Sequence, residues 1–171
     1  LAARQAGHEC AVATGAVHRA TIEAAGMAFF EAEGNPLALM RERYPEVRVP
    51  PRTRADSLNV ARYYFGETIP EEALAGFRAA CDAFRPDVIV RSHLALVGWI
   101  AGEERGIPHV AIEDYSSGVP ADREAALGEG ALAWREKLGL PAHETPNLLS
   151  PYLKLLPFPP GLRDPAIPLA S

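Results

Sequence analysis

The stretch over residues 85–115 constrains the fold of this chain more than any other part of the sequence. It predicts a β-branched strand at residues 88–90, an amphipathic helix from Leu94, and a second apolar strand at residues 109–112. Apolar strands joined by a crossover helix are typical of parallel sheets that are buried on both faces. The stretch therefore predicts a β-α-β unit within an α/β domain.

The N-terminal part of the chain repeats this pattern. Residues 9–13 predict a strand, residues 17–25 predict a helix that stops at Gly26, and residues 27–30 predict another strand. Repeated alternation of strands and helices predicts an α/β fold, a Rossmann-like parallel sheet with helices on both faces. Residues 1–6 favour a helix closed by Gly7 and resemble the last turns of a helix whose beginning is missing.

The middle of the chain predicts a loop followed by two helix starts. Residues 46–56 contain paired prolines and several arginines without periodicity, which is typical of a loop. Ser57 is a predicted N-cap, and Thr68 with Glu71 matches a capping box for the next helix. Apolar residues at helical spacing then indicate core packing, and they are Leu74, Phe77, Cys81 and Phe84.

The last third of the sequence predicts one helix and one strand. Asp122 is the predicted N-cap of a helix that ends near Gly139. The apolar run at residues 152–156 predicts a strand, and the prolines that follow it are typical of a linker.

The turns after the two central strands are the first place to look for a site. In open parallel sheets, ligands bind beyond the carboxyl ends of the strands, where Ser92, His93, Glu113, Asp114 and Tyr115 lie. Ser92 fits a helix cap better than a nucleophile, because no base is specified beside it. The two carboxylates fit either acid–base chemistry or a solvated turn, and consecutive residues of an extended chain point to opposite sides.

Composition excludes several classes of partner. The 171 residues carry a net charge of -5, which argues against binding to nucleic acid or to an anionic membrane surface. No apolar run reaches the ~20 residues of a membrane span. Cys10 and Cys81 are predicted to be free thiols, which fits a cytoplasmic protein. The histidines lack metal-ligand spacing and there is no glycine-rich phosphate loop, so we expect no metal and no tightly bound cofactor.

Several runs of the sequence, taken together and in order, resemble one family. The runs are LAARQAGHECAVATG, HRATIEAAGMAFF, GNPLALM, RPDVIVRSHLALVGWIAGEERGIPHVAIE and WREKLGLP. They are similar to the N-terminal half of two-domain nucleotide-sugar glycosyltransferases of the GT-B fold. The bacterial enzymes that glycosylate macrolides and aromatic polyketides look most similar.

This resemblance implies an acceptor-binding domain over residues 1–150, with the last strand and an interdomain linker over residues 151–171. The resemblance also implies that the donor-binding domain is absent from these residues. The resemblance implies that this missing C-terminal domain binds a nucleoside diphosphate sugar as co-substrate. The acceptor would be a lipophilic small molecule, and the sugar would be transferred with inversion.

Two features depart from the family pattern. The family's first strand and the histidine that acts as its base would precede Leu1, so we expect the sheet to lack its first strand and the chain to be a piece of a longer protein. Ser92 stands where the family has a supporting aspartate, which leaves Ser92, His93 or Glu113 as candidates for that support.

The acceptor-binding candidates form a short list: Tyr63, Tyr64, Phe65, His93 and Tyr115. For the aromatic residues, packing within a helix is the alternative reading. Two other functions stay open, namely a sugar-nucleotide 2-epimerase of the same architecture and a non-catalytic binding or activator protein. A homodimer or a separate activator protein is a further possible partner.

Overall fold

A computed structural model describes residues 2–114, 121–141, 148–157 and 159. Its strands are β1 (Ala11–Thr14), β2 (Ala28–Glu31), β3 (Ile89–Ser92), β4 (His109–Ile112) and β5 (Leu153–Leu155). Its α-helices are α1 (Ala2–Gln5), α2 (Arg19–Ala24), α3 (Pro36–Arg43), α4 (Arg54–Asn59), α5 (Ile69–Phe84), α6 (Leu96–Arg105) and α7 (Ala121–Lys137). A 3₁₀ turn at Ala16–His18 precedes α2, and a π-helix at Val60–Thr68 joins α4 to α5.

All paired strands are parallel, which confirms the predicted α/β class. β1 pairs with β2, and β4 lies between β3 and β5. Within the described ranges the strands form two separate sheets, since no described strand bonds β1 to β3, and this gap fits the expectation that the sheet lacks its first strand. The described edge strands β1 and β3 therefore each have one edge without a strand partner.

The three-stranded sheet has one covered face and one open face. Helix α6 lies against Ile89 and Arg91, both of which are buried, whereas Val90 between them is 59% exposed. Leu153 and Leu155 on β5 are also exposed. The prediction that β3 is buried on both faces is therefore wrong. Its side chains alternate, and no described element covers the face that Val90 shares with β5.

The main core lies under α5, α6 and α7. Trp99 and Ile100 of α6 are fully buried against Leu127, Ala131 and Trp134 of α7. Trp99 Nε1 donates to the carbonyl of Leu148 at 2.8 Å. The predicted core stripe of α5 is confirmed, since Leu74 and Cys81 are buried and Phe77 packs against them.

Two of the predicted helix starts are wrong, and a third lacks its predicted capping hydrogen bond. α4 begins earlier than expected, because Thr53 accepts from the backbone N–H of Asp56 and the Asp56 carboxylate accepts from the N–H of Thr53. This capping box replaces Ser57 as the cap and shortens the predicted loop at residues 46–56. α5 begins at Ile69, directly after Thr68 as predicted, but the Thr68 side chain makes no capping hydrogen bond because the π-helix runs directly into α5. Asp122 lies inside the first turn of α7.

Candidate functional site

The carboxyl ends of β3, β4 and β5 bring together a buried group of polar side chains. The backbone N–H of His93 donates to Ile112 O at 2.8 Å, and that of Glu113 donates to Leu155 O at 2.9 Å. These bonds continue the sheet one residue beyond β3 and β4. Because side chains alternate along a strand, His93 and Glu113 point to the same face as Arg91.

His93 is the most isolated of these groups. Its side chain is fully buried, and within the described part of the chain neither ring nitrogen has a hydrogen-bond partner. Nε2 lies 4.0 Å from Glu124 Oε1 on α7. Burial lowers the pKa of His93 to about 3, and the positive charges of Lys154 and Arg91 add to the shift. The imidazole is therefore neutral at pH 7 and can accept a hydrogen bond and donate one.

A lysine links the two carboxylates beside this histidine. Lys154 Nζ on β5 lies 3.1 Å from Glu113 Oε2 and 3.5 Å from Glu124 Oε1. Burial raises the pKa of Glu113, while Lys154 opposes that shift. One partly buried cation thus faces two acids and one neutral base, an arrangement that can hold or move a proton.

Arg91 fixes the backbone of the turn that carries His93. The side chain is 5% exposed, and its Nη1 donates to the carbonyls of Ser92 and His93 at 3.2 and 3.0 Å. Its Nη2 donates to the carbonyl of Leu149. Burial lowers the pKa of Arg91 to about 10, so the guanidinium stays charged at pH 7. Arg91 therefore connects the turn after β3 to the segment that leads into β5.

Ser92 does not cap α6, which contradicts its expected local role. Helix α6 begins at Leu96 and its N-cap is Ala95, so Ser92 is the last residue of β3. Its Oγ accepts from the N–H of Leu94 at 3.2 Å and donates to the carboxylate of Asp114. Asp114 is exposed whereas Glu113 is buried, so the two carboxylates do point to opposite sides, as predicted.

The predicted aromatic residues lie elsewhere, on the π-helix. Tyr63, Tyr64 and Phe65 are half-buried and pack against a cluster that contains Met40 and Val47. Of the three, only Tyr63 lines a cleft of about 530 Å³, and that cleft shares no lining residue with the polar group at the strand ends. Tyr115 lies outside the described residues.

Sequence reasoning missed three members of the polar group at the strand ends, namely Arg91, Glu124 and Lys154. An arginine inside a β-branched run was the available signal for Arg91, because an alternating strand must turn it to one face. Glu124 and Lys154 come from other elements, and only the folded register brings them to His93.

Among the described residues, no helix is long and apolar enough to cross a membrane. No group of three or more His, Cys, Asp or Glu side chains in the described ranges could hold a metal ion.

Comparison with known proteins gives a consistent structural result. No protein-family model and no curated protein sequence matches the chain. Among solved structures, it is similar to the glycosyltransferase SsfS6 of Streptomyces sp. SF2575, with a TM-score of 0.69 and 22% identity over 94% of this chain. The spinosyn rhamnosyltransferase SpnG gives a TM-score of 0.68 and 23% identity over 99% of this chain. The glycosyltransferase SnogD from Streptomyces nogalater gives a TM-score of 0.62 and 20% identity over 96% of this chain.

The coverage of those neighbours is partial. This chain spans 45% of SsfS6 and 43% of both SpnG and SnogD. At these identities the likeness establishes the fold. The chain therefore has the α/β fold of about half of a GT-B glycosyltransferase.

Proposed function

We propose that this chain is the acceptor-binding half of an inverting glycosyltransferase that acts on a lipophilic natural product. The observation that carries the proposal is the match to SsfS6, which covers 94% of this chain and less than half of SsfS6. SsfS6 and VinC have been solved with thymidine diphosphate or dTDP, and SpnG with the spinosyn aglycone. By analogy, the co-substrate is a nucleoside diphosphate sugar, and a further domain binds it.

The proposed reaction forms one bond and breaks another. An acceptor hydroxyl oxygen attacks the anomeric carbon of the sugar, the bond from that carbon to the diphosphate breaks, and the nucleoside diphosphate leaves with the electron pair. The hydroxyl proton passes to a general base, which we expect to be a histidine upstream of Leu1. A positioned base increases the rate of such a step by about 10²-fold or more.

In this proposal, the group at the strand ends binds and orients the acceptor. His93 is neutral and has both nitrogens without a hydrogen-bond partner among the described residues, so it can bond a hydroxyl of the acceptor. The cation of Lys154 lies 3.1 Å from Glu113 and 3.5 Å from Glu124, so the acceptor would meet charged and polar groups beside His93. Supporting roles for Ser92, His93 and Glu113, and acceptor contacts by Tyr63, Tyr64, Phe65 and Tyr115, remain predictions.

The test is transfer by the full-length protein. It would be incubated with a panel of dTDP- and UDP-sugars and with polyketide acceptors, and glycosides would be detected by mass. We expect His93→Leu to lower kcat/KM about 10-fold or more through the loss of a buried hydrogen bond to the acceptor. Glu136→Gln, an exposed change on α7, is the matched control and should leave the rate unchanged. The absence of any glycoside with every pair would refute the proposal.

A sugar-nucleotide 2-epimerase is the second candidate. The buried carboxylate of Glu113 and the nearby Glu124 favour it, because an epimerase needs acidic residues at its site. The two functions separate when the acceptor is left out. An epimerase converts the nucleotide sugar alone, whereas a transferase needs the acceptor to form a product.

A further inference from the structure

A concave site lies on the helical side of the molecule, away from the polar group at the strand ends. The cleft of about 530 Å³ is lined by residues of α3, the π-helix, α5 and α7, and no lining residue belongs to a strand or to the turns after β3 and β4. Its volume falls in the range of small-molecule sites, roughly 300–1,000 Å³. The cleft is therefore separate from the polar group around His93.

The π-helix shapes this cleft. Its wide turns place Arg62, Tyr63, Gly66 and Glu67 along one wall. Gly66 meets Gly130 of α7 so closely that a Cβ on Gly130 would lie 2.8 Å from Gly66 Cα. The two helices thus cross at backbone distance and diverge on one side of the crossing. π-Helical turns are rare and occur frequently at functional sites.

The charged groups of the walls are already paired with one another. Arg62 donates to Glu129 through two bonds of 2.7 and 3.0 Å, which join the π-helix to α7. Arg43 donates to both oxygens of Glu71 at 2.6 and 2.8 Å. Lys137 is the third cation of the lining and Glu67 the third carboxylate. The cleft lining therefore carries three cations and three carboxylates, and its formal charges balance.

Two aromatic rings complete the lining. Tyr63 lines the cleft, stacks on Tyr44 with ring centroids 4.2 Å apart, and has the Arg62 guanidinium 5.9 Å from its own ring centroid. Trp134 is held by a bond from its Nε1 to Gly66 O at 3.1 Å, and Lys137 Nζ lies 4.3 Å above its ring. Both rings are thus fixed in place before any ligand arrives.

We propose that this cleft binds a neutral, polyhydroxylated ring, that is, a sugar, either free or carried by a glycosylated acceptor. An anionic ligand would have to displace Glu71 or Glu129 from their arginines, and a wholly apolar one would desolvate both ion pairs. Hydroxyl groups avoid both costs, since each can donate to a carboxylate and accept from a guanidinium. The C–H groups of a pyranose ring can contact the parts of Tyr63 and Trp134 that line the cleft, although Trp134 is only 7% exposed. Only the second source, a glycosylated acceptor, rests on the proposed function.

The two tryptophans of the sequence provide a direct test. Trp134 lines the cleft, whereas Trp99 is fully buried in the core and serves as the internal control. The protein would be labelled with ¹⁵N-tryptophan, the Trp134 indole signal assigned with Trp134→Phe, and methyl α-glucopyranoside and methyl α-rhamnopyranoside titrated in. We expect a saturable shift of the Trp134 signal with a Kd of about 1 mM and no shift of the Trp99 signal. Glycerol at the same concentration should shift neither.

Variants and acceptors sharpen the result. Glu129→Gln should weaken binding about 5-fold or more through the loss of a charged acceptor, whereas Glu136→Gln on the same helix should not. A polyketide glycoside that binds more tightly than both its aglycone and the methyl glycosides assigns the site to a glycosylated acceptor. Binding of the methyl glycosides without that gain assigns it to a free sugar.

Two results would overturn the inference. One is that no glycoside gives a saturable shift of the Trp134 signal. The other is that the aglycone and its glycoside bind equally well while neither methyl glycoside binds. The transfer assay described above is read independently of these signals. Transfer without a Trp134 shift refutes the sugar cleft alone, and a shift without transfer refutes the proposed function alone.

Discussion

Two fully buried histidines lie at opposite ends of neighbouring strands, and their surroundings differ. His109 begins β4, and its Nε2 lies 3.2 Å from Glu103 Oε1 on α6. Glu103 also accepts from Arg135 of α7, and Arg135 Nε donates to Pro141 O at 3.1 Å. His93 follows β3, and neither of its ring nitrogens has such a partner among the described residues.

The difference separates a structural histidine from one suited to binding. The bonds at the amino end join α6, β4 and α7, and the hydrogen bond from His109, with Arg135, lowers the pKa of Glu103. At the carboxyl end, a polar ring has been buried at a cost that the described contacts do not offset. Buried polar groups without a protein partner are found where a ligand or an ordered water supplies the missing hydrogen bonds. The comparison leads to four predictions.

The largest loss of stability should come from breaking the hydrogen bonds and ion pair that join His109, Glu103 and Arg135. Glu103→Gln removes the charge that faces Arg135, whose side chain is only 10% exposed. Loss of one partner of a buried ion pair costs about 3 kcal/mol or more in the free energy of unfolding. Urea denaturation measures this loss. The neighbouring Glu104→Gln breaks only more exposed pairs with Arg78 and Arg105 and should cost under about 1 kcal/mol. Equal losses from the two variants would contradict the structural role given to His109.

Replacing each histidine by leucine compares the two ends directly. His109→Leu leaves Glu103 without one hydrogen bond, so we expect a loss of about 2 kcal/mol of unfolding free energy. His93→Leu removes two nitrogens that have no partner in the described ranges, and it should change stability by less than about 1 kcal/mol in either direction. A loss at His93 as large as that at His109 would show that the fold depends on His93.

The pH dependence of stability should also distinguish them. The folded pKa of His93 is lowered from 6.5 to about 3, so the unfolded chain takes up a proton that the folded chain does not. This contribution to stability is complete above pH about 6.5 and is lost as the pH falls from there towards 3. We expect His93 to account for about 2 kcal/mol of lost stability between pH 7 and pH 5.

The measurement compares urea midpoints at both pH values for the wild type and His93→Leu. The raised pKa of Glu113 acts with the opposite sign, since folding then favours its protonated form and stabilises the protein at lower pH. Both proteins contain Glu113, so the difference between them isolates His93. Parallel pH dependences would contradict the neutral buried imidazole.

Much of the secondary structure can be predicted from local sequence patterns, whereas the contacts within the candidate site cannot. Helical spacing identified the core stripe of α5, and the carboxyl-end rule placed His93 and Glu113 before the fold was known. The partnership of Glu113 with Lys154 depends on the register of β4 against β5, which sequence spacing does not encode. Paired prolines precede Thr53, so the sequence favoured a loop there over the capping box. No local sequence signal distinguishes the π-helix at Val60–Thr68 from an ordinary helix.

The smallest predicted effect concerns the contact between His109 and an aromatic ring, that of Tyr152, within the described part of the chain. Tyr152 meets the His109 ring edge-on at a centroid distance of 5.2 Å while remaining 56% exposed. Tyr152→Leu keeps most of the apolar contact and removes the ring pair, so it should cost about 0.5–1 kcal/mol by urea denaturation. In a His109→Leu background the same change should cost almost nothing, because the partner ring is already gone. If Tyr152→Leu lowers the unfolding free energy by the same amount in that background, then Tyr152 stabilises the protein through contacts other than the His109 ring.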